Sequence, residues 1–255
     1  MHKNDDTESV YSLMTQARQA GRKQIAVLID PDKTDLNTLD TLSSNILASR
    51  PDYLLVGGSQ VGMPLDALVL GLKRLTGMPI TLFPGNASQV TGHATAILFL
   101  SLLSGRNPEF LIGQQAAAAR KVKCSGIEVI PTAYVLVDGG RKSAVERMSG
   151  TQPIPRNNVD AIIDTALAGE LMGMKTVYLE AGSGAAYHVP QEVVEAVRKN
   201  INGVLIVGGG LRSTDQIVDT LAAGADIVVV GNHFEEHPDD MRAFCETVRH
   251  FRCAE

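Results

Sequence analysis

Two hydrophobic rhythms alternate along the whole chain, and that alternation leaves few folds open to it. Eight short apolar runs, at residues 25–29, 53–56, 80–83, 96–100, 127–130, 176–179, 203–207 and 227–230, are mostly continuous rather than alternating. Runs of this kind mark strands buried on both faces, as in a parallel sheet covered by helices. Between most of them lie helix-period patterns, at 39–48, 65–75, 108–123, 159–172, 190–200 and 214–223. Further helices are expected at 9–21, ahead of the first strand, and at 238–251, after the last. Strict β/α alternation over 255 residues reads as α/β, a single (β/α)8 TIM barrel with an extra N-terminal helix. An open doubly wound sheet is the rival architecture. It would carry a GxGxxG turn after its first strand, and that turn is absent.

One crossover breaks the rhythm. Residues 84–95 read PGNASQVTGHAT, too short and too rich in turn formers for a full helix. Loss of a covering helix there would open one wall of the barrel and give a long apolar substrate a way in; a short irregular helix without functional meaning is the other reading. The longest irregular stretch, 138–158, has the length of a lid or binding loop. No composition shift divides the chain, so residues 1–255 read as one domain, with 1–8 a polar tail.

The sharpest local signal lies near the C-terminus. The apolar run ending at Val207 stops at Gly208-Gly209-Gly210, and the run ending at Val230 stops at Gly231-Asn232. Glycine at such a stop lets backbone N–H groups approach an anion with no β-carbon in the way. Ser213 with Gln216 reads as a capping box that opens the next helix, so these N–H groups sit at a positive helix end. Two successive strand ends built this way are how a (β/α)8 barrel makes a phosphate site after its seventh and eighth strands; two glycine-rich βα turns with no ligand are the other reading.

Chemistry in such barrels gathers at the C-terminal strand ends. The sixth strand runs into Tyr178-Leu179-Glu180-Ala181-Gly182-Ser183-Gly184. Side chains alternate along a strand, so Tyr178 and Glu180 share one face and Val177 and Leu179 the other. The aliphatic pair suits the helix layer, which aims Tyr178 and Glu180 into the barrel mouth. Glu180 is then a candidate general base for a bound hydroxyl, or a structural carboxylate holding loop amides. Asp30 ends the first strand. It can hold a hard cation such as Mg²⁺ together with phosphate oxygens, with Ser59 on the neighbouring strand end adding an oxygen. A pair between Asp30 or Asp32 and Lys33, with no metal, is the alternative. Lys175 falls on the opposite rim, which argues against Schiff-base chemistry. The six histidines form no metal-binding spacing, and His233 reads as a solvated loop residue.

The net charge of −5 gives no electrostatic reason to expect a nucleic-acid partner. No apolar run approaches the roughly 20 residues that span a bilayer, and the start of the chain is polar and acidic rather than signal-like. Cys124, Cys245 and Cys253 form no CxxC and read as reduced thiols, so a cytoplasmic location is expected.

Taken in order, LIDPDK (28–33), VGGSQ (56–60), FPGN (83–86), LLSGRNPEFLIGQQ (102–115), YLEAGSGA (178–185), VGGGLRS (207–213) and VVGN (229–232) resemble the geranylgeranylglyceryl phosphate synthase family. The resemblance covers nearly the whole chain. It implies a TIM barrel in which an extended segment replaces one covering helix, in agreement with the short crossover. It also implies an enzyme that uses Mg²⁺ to join the C3 hydroxyl of sn-glycerol 1-phosphate to C1 of a polyprenyl diphosphate. By the same resemblance Asp30 and Ser59 are the metal positions and Glu180 the base. Residues 178–184 (Tyr178, Leu179, Glu180, Ala181, Gly182, Ser183 and Gly184), with Gly209, Gly210, Gly231 and Asn232, form the glycerol phosphate site. Leu28 stands where some members of the family carry a lysine; Lys33, Arg106 and Arg141 are candidate replacements. A homo-oligomer, either a dimer or a hexamer, and transient membrane contact through the lipid substrate are further expectations. Two rivals use the same residues: a phosphosugar isomerase or epimerase with Glu180 as carbon-acid base, and a phosphate-binding barrel without catalysis.

Overall fold

The computed structural model describes residues 8–58 and 65–252. Its eight strands are β1 (Gln24–Ile29), β2 (Tyr53–Val56), β3 (Ile80–Leu82), β4 (Ala96–Leu102), β5 (Glu128–Leu136), β6 (Thr176–Glu180), β7 (Val204–Gly208) and β8 (Ile227–Val230). They form a closed barrel in sequence order, every pairing parallel, with β1 closing on β8 through Gln24↔Ile227 to Val27↔Val230. This is the (β/α)8 barrel that the alternation predicts.

The continuous apolar runs resolve into two layers by side-chain parity. Ile25, Val27, Leu54, Val177, Leu179 and Leu205 pack outward against the helices. Ala26, Tyr53, Leu55, Tyr178, Val204 and Ile206 belong to a second cluster, inside the barrel. Both faces of each strand are thus buried, which is why the runs lack polar alternation. The helix α1 (Val10–Gln19) contributes Val10 and Met14 to the inner cluster and so plugs the barrel at the N-terminal ends of the strands.

The outer helices are α2 (Leu39–Ser49), α3 (Leu65–Thr76), α4 (Gln114–Ser125), α6 (Val159–Leu171), α7 (Gln191–Asn200), α8 (Thr214–Ala222) and α10 (Asp240–His250). A π-helical turn at Glu109–Gly113 leads into α4. Between β3 and β4 the chain makes only turns, so one covering helix is missing. Side chains tie this strap in place: Gln89 donates to the Gly58 carbonyl at 2.8 Å, and Gln114 accepts the Ala87 N–H at 2.6 Å.

The structure corrects the sequence reading in four places. Strand five does not stop at residue 130; it runs through Pro131 to Leu136, because β5 pairs with β4 on both sides of the one missing donor and with β6 from Thr132 onward. The irregular stretch 138–158 contains α5 (Ala144–Ser149), which opens with a full capping box between Ser143 and Glu146. A short helix, α9 (Asn232–Glu236), follows β8 directly. At α8 only half of the expected capping box forms: Ser213 accepts the Gln216 N–H, but Gln216 Oε1 accepts from the Arg212 N–H instead of returning to Ser213.

Candidate active site

The C-terminal strand ends enclose a cavity of about 490 Å³. Glu180, the last residue of β6, reaches its centre from the inner face. Its Oε1 accepts the Gly182 N–H at 2.6 Å, and the hydroxyls of Tyr178 and Tyr134 bond to the same carboxylate. The side chain is buried. Loss of water pushes its pKa up to about 7 against those three stabilising bonds. The burial that raises Glu180 also raises the Tyr134 and Tyr178 hydroxyls, with the neighbouring carboxylate adding to it. At neutral pH the group is a carboxylate part of the time, flanked by two hydroxyls that stay protonated.

This arrangement depends on the next strand. A β-carbon at Gly208 would collide with the Tyr178 hydroxyl, and one at Gly209 with the Glu180 carboxylate. Gly209 and Gly210 also hold φ of +82° and +74°, a region that side chains disfavour. The glycine turn therefore makes room for the β6 side chains while exposing its own backbone to the cavity. Gly209, Gly210, Gly231 and Asn232 all line that cavity, and Ser183 Oγ bonds to Asn232 Oδ1 at 2.9 Å, joining the loops after β6 and β8.

Of the residues expected at the site, Tyr178, Glu180, Ser183 and Gly184 reach the cavity. Leu179 and Ala181 do not: both side chains lie in the outer apolar layer, as strand parity requires. Gly182 acts through its N–H on Glu180. Asp30 follows β1 and lines the cavity, accepting the Asp32 N–H at 3.0 Å. Gly58 packs against it so closely that a β-carbon would sit 2.8 Å from Oδ1. Burial raises the Asp30 pKa despite that hydrogen bond and the charge of Lys33. Lys33 itself pairs with Glu235 at 2.7 Å. Ser59 lies outside the described residues. Arg106 bonds to the carbonyls of Leu103 and Gly105, and Arg141 lines a separate groove. His233 is no solvated loop residue: it sits in α9, stacked on Phe244 and bonded to Asp240 at 2.7 Å.

Three features were missed from sequence. Tyr134 was hidden behind Pro131, which made strand five look finished. Phe83, Tyr134 and Tyr178 form a ring cluster with centroids 5.3–5.9 Å apart, and those residues are far apart in sequence. Arg212 lines the cavity and donates to the Ala185 carbonyl, although it stands within the glycine motif itself. From the ring cluster the cavity continues outward under the strap, past Ala87, Val90, Ile97, Phe99 and Ala118, where it becomes apolar.

A closed (β/α)8 barrel with a buried acid ending β6, glycine turns after β7 and β8, and an apolar extension where a wall helix is missing defines the class. A model of the PcrB family matches residues 18–248, and the chain belongs to that family. It is 42% identical over 241 residues to the geranylgeranylglyceryl phosphate synthase of Spirosoma linguale, covering 94% of this chain and 97% of the relative. The enzyme of the same name from Korarchaeum cryptofilum is 42% identical, covering 92% and 97%. Among solved structures, (S)-3-O-geranylgeranylglyceryl phosphate synthase from Thermoplasma acidophilum, in complex with its substrate sn-glycerol-1-phosphate, superposes with a TM-score of 0.89 at 29% identity, covering 96% of this chain and 100% of that one.

Proposed function

We propose that this chain joins the C3 hydroxyl of sn-glycerol 1-phosphate to C1 of geranylgeranyl diphosphate and releases diphosphate. One observation carries the reading: a single cavity places a buried carboxylate between backbone-lined glycine turns and an apolar channel. The turns suit a phosphate, and the channel suits a hydrocarbon tail. Each buried methylene of that tail contributes about 0.8 kcal/mol, with no need for directional contacts.

The glycine turns at 209–210 and 231–232 hold the phosphate by backbone N–H groups and so set the free hydroxyl beside Glu180. Ionised Glu180 takes the hydroxyl proton as the new C1–O bond forms; the old C1–O bond breaks, and its electron pair leaves with diphosphate. Tyr178 and Tyr134 keep the carboxylate aimed. The ring faces of Phe83, Tyr134 and Tyr178 line the passage where C1 would pass.

Mg²⁺ fits the residues present. Among the described residues no cluster of three or more His, Cys, Asp or Glu could cage an ion. Mg²⁺ is, however, commonly held by one or two carboxylates and substrate phosphates. Asp30 is such a carboxylate: it faces the cavity, burial raises its pKa, and the nearest lysine is engaged by Glu235. Asp30, with Ser59 as the proposed second position, would hold the ion, which when bound supplies countercharge to diphosphate.

Cys124 and Cys245 are unpaired, which suits a reducing cytoplasm. Among the described residues no helix is long and apolar enough to cross a membrane. A homo-oligomer is part of the same proposal. The test is incubation with Mg²⁺, radiolabelled geranylgeranyl diphosphate and either sn-glycerol 1-phosphate or sn-glycerol 3-phosphate. Labelled ether lipid from the 1-phosphate alone is expected. No product at any prenyl length would return the site to the phosphosugar or binding-only reading.

A further inference from the structure

The rim of the barrel mouth is electrically polarised, and its exposed apolar side chains are weighted toward one side. On the side of β8 and β1, residues 232–240 and 30–35 hold seven carboxylates against Lys33. On the side of β4 and β5, residues 103–113 and 138–156 hold five cations (Arg106, Arg141, Lys142, Arg147 and Arg156) against Glu109, Asp138 and Glu146. These three acids are engaged locally, Glu109 with Gln114, Asp138 with the Gly140 N–H and Glu146 with the Ser143 N–H. Arg106, Arg141, Lys142 and Arg147 are all exposed.

Three of the exposed apolar side chains fall on this basic side, against Leu36, 41% exposed, next to the acidic one. Ile112 is 64% exposed on the turn after β4, Met148 46% on α5 and Tyr187 59% on the loop after β6. Gly140 packs under the Tyr187 ring, where a β-carbon would sit 2.6 Å from it, and Arg156 lies 4.9 Å above the ring centre. The short helix α5 divides the two characters: Val145 and Met148 line the active-site cavity, while Glu146 and Arg147 line a polar groove beside it. A surface with exposed cations around exposed Ile, Met and Tyr side chains suits an anionic membrane interface. The acidic side of the rim would be repelled from it.

We propose that the loops after β4, β5 and β6 dock this enzyme on the surface of an anionic lipid bilayer, with the acidic β8–β1 rim turned away. The purpose assigned to this contact rests on the prenyl-transfer reading: a product with a long tail needs a short path from cavity to membrane. The contact itself stands on the charge and apolar pattern.

The test is co-sedimentation of the full chain, without substrates, with vesicles of equimolar phosphatidylglycerol and phosphatidylcholine, and with vesicles of phosphatidylcholine alone. The protein is expected to pellet with the anionic vesicles at low salt, to be released by high salt, and to stay in solution with the neutral ones. Lys142→Glu with Arg147→Glu should lower anionic binding at least about tenfold, and Ile112→Ser several-fold, with turnover on detergent-dispersed substrate unchanged. The proposal falls if the protein does not pellet with anionic vesicles, pellets equally with neutral ones, or is unaffected by the double substitution. It falls also if that substitution instead breaks an oligomer, which would make this face a contact between copies. Vesicle binding by a protein that forms no ether product would sink the prenyl-transfer reading and leave the docking surface in place.

Discussion

The corner formed by β6, β7 and β8 and the flank between β3 and β4 are built on opposite principles. At the corner, side chains cross between strands into space left by glycine, and Glu180 is held by a backbone N–H and two tyrosine hydroxyls. On the flank, a strap without a helix is pinned by a few side-chain bonds from Gln89 and Gln114. A proton transfer needs atoms fixed to a few tenths of an ångström. A hydrocarbon tail needs only shape and dryness, because the hydrophobic effect has no direction. The contrast divides the work of one cavity between a rigid end and an adaptable end.

The largest effect should come from the rigid end. Glu180→Gln is expected to lower kcat by about 10²–10⁴-fold while phosphate affinity, read by calorimetry, is kept. The wild-type kcat/KM should rise with pH and level off above about 7, where the carboxylate is ionised. The same substitution should change stability in the opposite direction. Because burial lifts Glu180 from 4.5 to about 7, the folded state holds the proton that the unfolded state has lost across this window. Stability from this group is therefore greatest below about 4.5 and falls as pH rises to about 7, by about 3 kcal/mol. The Gln variant, having nothing to ionise, should melt above the wild type at pH near 8. A lower melting point would show that the hydrogen bonds the carboxylate accepts outweigh the cost of burying it.

Asp30→Asn should reduce turnover by at least about 10²-fold and flatten its dependence on added Mg²⁺, with glycerol phosphate binding intact. Full activity would remove Asp30 from the metal position. Gly209→Ala should cost about 2 kcal/mol of stability, measured by denaturant unfolding, and most of the activity, since both φ and the Glu180 carboxylate oppose a methyl group. The smallest effect belongs to the flank. Gln114→Ala should cost about 1 kcal/mol and raise KM for the prenyl substrate several-fold, leaving KM for glycerol phosphate unchanged. Equal changes in both constants would mean that the strap and the corner are one rigid unit.

Much of this was readable in the sequence, and the reasons are specific. Burial on both faces leaves continuous apolar runs, so the strands stood out, and the turn-rich 84–95 segment showed the missing helix. Parity alone placed Tyr178 and Glu180 inward and Leu179 outward. What stayed hidden depended on tertiary contact. Pro131 looked like a strand end because the pairing that carries β5 past it comes from β4 and β6. With the strand cut there, Tyr134 had no face to be assigned to. His233 looked solvated because its partner Phe244 belongs to another helix.

The plug helix α1 has a consequence for the order in which the molecule comes together. Its N-terminal turn is seated on the Glu128 carboxylate, which accepts from the Ser9 hydroxyl and from the Val10 and Tyr11 N–H groups. Further along, Tyr11 meets Lys175, and Arg18 pairs with Asp226. All of these partners lie more than a hundred residues later in the chain. Helix α1 is thus synthesised well before it can find its place, because its seat exists only once strands β5 to β8 have been made. Contacts of such long range slow folding, and until they form, the apolar face that carries Val10 and Met14 remains in water.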